Sequence, residues 1–270
     1  LKDRDGVGLP DAVGAHGVDL GSALDARDQL AGAGAYLELH IEQGPVLESL
    51  DLPLGVVLGT FGVQRWRLVW KGQAAHAGST PMDKRRDALA GAAKFALALR
   101  EIAAEVGGGA VMTSGGVVCK PGIVTSVVET AEQLLDMRHL NAAELARMLE
   151  LARAAADRFA TEENIDVSWE QIWQIEPILF NDTLIGFADE AINEVAGVSH
   201  KLPSGPLHDA AEVSRAGVPT VMVFVQSLRG LSHTKLENTH DEHLRQSVEV
   251  LDRLADKTRS EEHTSELQSH

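Results

Sequence analysis

Apolar and polar positions divide the chain into three stretches. From Leu24 to Ala33 apolar residues recur at short helical spacing, and AYLELHIE, Ala35 to Glu42, then alternates in a way that predicts a largely buried strand ending near His40. LGVVLGTF, Leu54 to Phe61, is a continuous apolar run of the kind buried on both faces. In the middle of the chain the pattern predicts a strand from Gln64 to Lys71, a helix from Pro81 to Val106 and strands Ala110 to Val118 and Glu132 to His139. A helix from Ala142 to Glu163 and a strand from Ile165 to Trp173 complete a β-α-β-β-α-β order, that of a ferredoxin-like unit. Thr80, Pro81 and Asp83 read as the start of its first helix, Asn141 and Glu144 as the start of its second. Ala88, Ala92, Phe95, Leu99, Ile102 and Val106 line one face of the first helix for packing on a sheet.

All four tryptophans fall in the first and last strands of this unit, Trp66 with Trp70 and Trp169 with Trp173. Even spacing puts each pair on one strand face, so all four are predicted to pack together beneath the helices. After Pro177 come a helix from Asp182 to Val195, a strand from Pro219 to Gln226 and a last helix from about Asp241, with Thr239 and Glu242 spaced as a capping box. The fold class is therefore α/β. An inserted ferredoxin-like domain, 63–176, interrupts an α/β domain made of 1–62 and 177–258.

Composition narrows the functional classes. The net charge of −16 comes without a basic cluster, which argues against a nucleic-acid partner. Cys119 is the only cysteine, so no internal disulfide can form. With no membrane-spanning apolar run and no signal-peptide pattern at the first residues, the expected location is cytoplasmic. Both ends look foreign to a complete gene product. The chain opens on Leu1 in a polar stretch, read as an N-terminal truncation. The final segment 259–270 leaves the helical pattern, resembles a translated sequencing adapter and is expected to be non-native.

Histidines lead the chemistry. His40 stands near a strand end, His76 in AAHAGSTP, His208 beside Asp209, and His233 in LRGLSHTKLENTH; three of the four follow or end strands, where open α/β sheets place ligands. Any one of them alone is also what a structural or surface histidine looks like, so the signal lies in the group.

The segments YLELHIEQGPVLE, AAHAGSTPMDKRRDAL, SGPLHDAAEVSRAGVPTVM and SLRGLSHTKLENT resemble, in order, successive motifs of the N-carbamoyl-L-amino-acid hydrolases. That wider family includes allantoate amidohydrolases and β-ureidopropionases and shares its two-domain plan with zinc aminopeptidases. The resemblance runs from about Ala35 to Lys257. It implies a partial zinc-aminopeptidase-like catalytic domain carrying a lid and dimerisation domain, a homodimer, and two divalent metal ions, zinc or manganese.

By motif, His40 would bind one ion and His233 the other. His76 would donate to the carbonyl oxygen in a partner's active site, and Arg138 of LLDMRHL would grip the substrate carboxylate with its two-pronged guanidinium. Gln64 would be a polar contact at the hinge between domains, and His208 with Asp209 would line the substrate pocket. An exposed strand arginine, an ordinary polar strand residue and a helix cap are the plain readings of Arg138, Gln64 and Asp209.

Two departures matter. PGIVTSVV, Pro121 to Val128, has Thr125 or Ser126 where the family often has an asparagine, and Leu207 stands where allantoate enzymes tend to carry glycine. The bulkier Leu207 favours an N-carbamoyl amino acid over allantoate. The first histidine, bridging aspartate, acidic pair and general base implied by the resemblance are not found in this chain, which would leave one ligand per ion and no activity in this chain alone. The implied reaction is hydrolysis of a ureido bond to amino acid, ammonia and carbon dioxide. An aminopeptidase or dipeptidase of the same plan, and a non-catalytic dimerising fragment, are the alternatives.

Overall fold

The computed structural model describes residues 1–261; nine of the twelve residues read as a foreign tail, 262–270, lie outside the described residues. In chain order its elements are α1 (Leu9–Gly14), β1 (Tyr36–Ile41), α2 (Val46–Ser49), β2 (Leu54–Thr60), β3 (Gly62–Lys71), β4 (Ala75–His76), α3 (Ala88–Val106), β5 (Val111–Lys120), β6 (Ser126–Val127) and β7 (Thr130–His139). There follow α4 (Ala142–Glu162), β8 (Asp166–Ile175), β9 (Ile178–Leu179), α5 (Asp182–Ala196), β10 (Lys201–Ser204), α6 (Asp209–Arg215), β11 (Thr220–Val225) and α7 (Asp241–Glu261). None of the described helices is long and apolar enough to cross a membrane.

The chain divides into two compact units. Leu1–Val56, Phe180–His200 and the residues from Asp209 on form the first; Val57–Leu179 with Lys201–His208 form the second.

In the first unit β1 and β11 run parallel, with His40 opposite Phe224 and Ile41 opposite Val225. Every residue of β11 is buried, as its unbroken apolar sequence TVMVFV requires of a strand covered on both faces. β1 is only half-buried along its whole length, less than its alternation predicts. Asn181 caps α5 by accepting from the Leu184 N–H at 3.0 Å. The first unit's N-terminal part, a 3₁₀ stretch at Leu20–Gly32 included, buries no side chain. The capping box expected before α7 does not form: the Leu244 N–H bonds to the His240 carbonyl, one residue later than predicted, and Thr239 Oγ1 is buried without a partner. The helix itself runs on through Arg259, where the sequence pattern was expected to break.

The second unit contains the four-stranded antiparallel sheet β5-β7-β3-β8. Its first and last strands in sequence, β3 and β8, are neighbours at the register Leu68 to Trp169, which is the ferredoxin-like arrangement the sequence predicts. Helices α3 and α4 cover one face, and Trp66, Leu68, Trp70, Phe95, Leu99, Met137, Met148 and Phe159 form the core beneath them. Trp70, wholly buried, donates its indole N–H to Gln133 at 2.9 Å. Asn141 caps α4 as expected, accepting from the Ala143 and Glu144 N–H groups.

Two expectations fail here for local reasons. The helix predicted from Pro81 begins instead at Ala88, capped by Asp87, because Met82–Lys84 forms a separate 3₁₀ turn and Arg85 leaves it in an extended conformation. Trp173 does not join the other tryptophans. Trp66 faces Gln171 across the β3–β8 pair but Arg65 faces Trp173, so Ile172 is an extra residue and the bulge moves Trp173 to the opposite face. It is 37% exposed, with the Arg65 guanidinium 5.0 Å above its ring.

Candidate functional site

β1 carries Tyr36, Glu38 and His40 at alternate positions, hence on one face. The His40 Nδ1 lies 2.8 Å from the Ile41 carbonyl oxygen, and a carbonyl can only accept, so Nδ1 carries the proton in that bond and the ring's lone pair lies on Nε2. Glu38 accepts from the Ala210 N–H in the first turn of α6 at 2.7 Å. That bond ties the start of α6 to β1, and His208 precedes Ala210 by two residues, so the chain itself delivers the His208 ring to the same place. One ligand atom from each of Glu38, His40 and His208 lies within 4.8 Å of the other two.

Two imidazoles and a carboxylate form a donor set suited to zinc or manganese, with coordination positions left over for water or substrate. The local field agrees. Burial first, then the carboxylate of Glu38 through its charge and its hydrogen bond, then Asp209, push the Tyr36 phenol above its ordinary value. A cation placed there would meet net negative charge. The residues present therefore fit a divalent ion.

His208 was expected in the substrate pocket, and Glu38 was not singled out at all. Its signal was present, since an acid two residues from a histidine on one strand shares its face. His233 lies outside this cluster, in the exposed loop after β11, at φ 57° with its N–H held by Glu237 at 2.9 Å. It leaves the same end of the parallel pair as His40, because both loops follow the C-terminal ends of adjacent strands. Those loops are fastened together: the Gln43 N–H donates to Ser227 Oγ at 3.0 Å, the Arg229 N–H to Glu48 at 3.0 Å, and Gly230 packs against Gly44 and Pro45.

The second unit holds the remaining candidates. His76 is exposed on β4 and pairs with Ser126 of β6, while the Ala77 N–H donates to the Thr125 carbonyl, so the structure brings His76 and Thr125 together. Arg138 lies on the face of β7 opposite the buried Leu135 and Met137, as alternation requires, and donates to both oxygens of Asp136 at 2.6 and 3.2 Å and to the Gly205 carbonyl at 2.8 Å. Gln64 accepts from the Trp66 indole at 3.2 Å.

A profile described as Peptidase family M20/M25/M40 matches residues 16–257. The chain belongs to that family. Among its M20/M25/M40 relatives, the N-carbamoyl-L-amino acid amidohydrolase of Geobacillus stearothermophilus is 33% identical over 250 residues, 93% of this chain and 61% of that protein. The allantoate amidohydrolase of Escherichia coli K12 is 32% identical over 252 residues, 93% of this chain and 60% of that protein. The crystal structure of an amidase of the hydantoinase/carbamoylase family from Burkholderia phymatum superposes with a TM-score of 0.83 at 28% identity, covering 96% of this chain and 62% of that one. The chain thus spans about three-fifths of the length of the curated relatives it matches.

Proposed function

We propose that the protein carrying this chain hydrolyses the ureido C–N bond of N-carbamoyl-L-amino acids or related ureido acids. The convergence of Glu38, His40 and His208 on one point is the observation that carries this reading, and the names of the M20/M25/M40 relatives supply the substrate class. His40, with Glu38 and His208 beside it, would hold one divalent ion, and His233 would contribute to a second. Such an ion lowers the pKa of a water and polarises a carbonyl.

The chain's own residues then divide the work. His76 keeps its Nδ1 occupied as an acceptor from the Gly78 and Ser79 N–H groups, so its Nε2–H is left to donate to a carbonyl oxygen as negative charge grows there. Arg138 is aimed by Asp136 along one edge of its guanidinium and by the Gly205 carbonyl through Nη1, and the N–H groups that these leave on Nη1 and Nη2 suit a substrate carboxylate. Gln64 and Thr125 add polar contacts. The inserted unit is the proposed homodimer surface, since β5 is an edge strand with Val117 and Val118 exposed.

Ammonia release from a panel of N-carbamoyl-L-amino acids, with zinc or manganese added, tests the activity. Turnover of ureido acids and not of dipeptides is expected; cleavage of dipeptides alone would replace this reading with a peptidase.

A further inference from the structure

We infer that Arg85 is a positioning residue for His76: its guanidinium locks the Ala77–Thr80 turn so that the imidazole keeps its proton on Nε2. The functional meaning rests on the proposed role of His76 as an oxyanion donor; the positioning itself does not.

The His76 ring is held in one sense by two main-chain donors. Nδ1 accepts from the Gly78 N–H at 3.1 Å and from the Ser79 N–H at 3.2 Å, and a nitrogen that accepts cannot carry the proton. Both donors belong to a turn that returns on His76 itself, with the Thr80 N–H bonded to the His76 carbonyl at 3.1 Å. Left alone this is an exposed loop of small residues. Arg85 closes it: Nη2 donates to the Ala77 carbonyl at 2.6 Å and Nε to the Thr80 carbonyl at 3.2 Å, so one rigid fork spans the two ends of the segment that contains Gly78 and Ser79.

The fork has a firm base. Residue 86 donates no freedom to its neighbour, because the Arg86 carbonyl accepts from the Gln73 N–H at 2.9 Å just past the end of β3. The approach is close enough that a Cβ on Gly72 would lie 2.0 Å from that carbonyl oxygen. On its other side, Met82–Lys84 turns the chain so that Arg85 points back at the loop. Anchorage therefore passes from the sheet through Arg85 to the His76 turn. A lysine at 85 could reach one carbonyl and could not bridge two with fixed geometry.

The test is a long-range ¹H–¹⁵N correlation of the histidine rings in the full chain, above the titration range, which reports the nitrogen that carries each proton. His139 is the internal control, because its Nδ1 also accepts a main-chain N–H, from Asn141 at 2.9 Å, independently of Arg85. The wild-type spectrum is expected to show His76 protonated on Nε2. In R85Q the Nε2–H to Nδ1–H ratio of His76 should fall by about fivefold, the equilibrium worth of about one net hydrogen bond, with R85K intermediate and His139 unchanged. Amide exchange at Gly78 and Ser79 should quicken in step. Unchanged His76 signals and exchange in R85Q, or a wild-type His76 protonated on Nδ1, would overturn the inference. So would loss of the His139 signature, which would make Arg85 a general fold-holding residue. None of these outcomes depends on turnover, so failure of the ureido-hydrolase reading is seen separately, in the ammonia assay.

Discussion

Arg138 and Asp136 grip each other side-on from alternate positions of β7, with Nε and Nη2 of the guanidinium on the two carboxylate oxygens. Arg65, opposite Asp136 in the sheet, adds a third charge-assisted bond at 2.9 Å. Burial raises the Asp136 pKa, but the bonds from Arg138 and then Arg65 outweigh it and hold the carboxyl below its ordinary range. A depressed folded-state pKa contributes stability that is complete above the unfolded value and is lost as pH falls through the folded value. Asp136→Asn should cost about 1–3 kcal/mol at neutral pH, the penalty of leaving a charged group short of its partner. The cost should shrink as pH drops below the carboxylate range. Urea midpoints of both proteins from neutral to acid pH check this, and a gap that widens toward acid would contradict it.

The divided fates of the tryptophans give a second expectation. Trp70 is wholly buried against Phe95 and bonded to Gln133, so Trp70→Ala should cost about 3–5 kcal/mol. Trp173 is 37% exposed with the Arg65 guanidinium over its ring, and Trp173→Ala should cost distinctly less than Trp70→Ala. Denaturant titrations that found the two equally costly would mean that β8 is not bulged.

Much of this was legible beforehand and some was not, for identifiable reasons. The ferredoxin-like unit announced itself because Ala88, Ala92, Phe95 and Leu99 repeat at helical spacing and β3 and β7 alternate cleanly. The one-residue bulge at Ile172 was invisible, since alternation counts residues and a bulge is a miscount. The start of α3 was misplaced because a capping signal at Thr80 and one at Asp87 look alike, and only the tertiary demand on Arg85 decides between them. At the candidate cluster, motif had singled out His40 as a metal ligand and His208 as a pocket residue, and Glu38 was passed over because it read as the polar half of a strand.

Zinc should stabilise the chain through the cluster of Glu38, His40 and His208. At a hundredfold excess over its dissociation constant, a ligand that binds only the folded state adds about 2.7 kcal/mol. His40→Ala and Glu38→Gln should each remove most of that gain while leaving the metal-free stability close to wild type, as both side chains are only half-buried. Thermal melts with and without zinc measure it; an undiminished shift in His40→Ala would exclude His40 as a ligand.

Gly230 sits at φ 58°, and a Cβ there would come 2.9 Å from the Pro45 nitrogen and 3.0 Å from the Gly44 carbonyl carbon. Gly230→Ala should cost about 1–3 kcal/mol, as a strained left-handed position does. It should also loosen the loop that leads to His233, seen as faster exchange of the Arg229 amide now held by Glu48.

The bulge in β8 also gives the gene some slack. With Ile172 as the surplus residue, losing a single codon from that stretch would straighten the strand, keep Gln171 across from Trp66 and Trp173 across from Arg65, and reassign nothing to the wrong side. A strand without such a spare would be turned inside out by the same deletion. Length variation among related sequences should therefore collect at this strand more readily than in its perfectly registered neighbour β7.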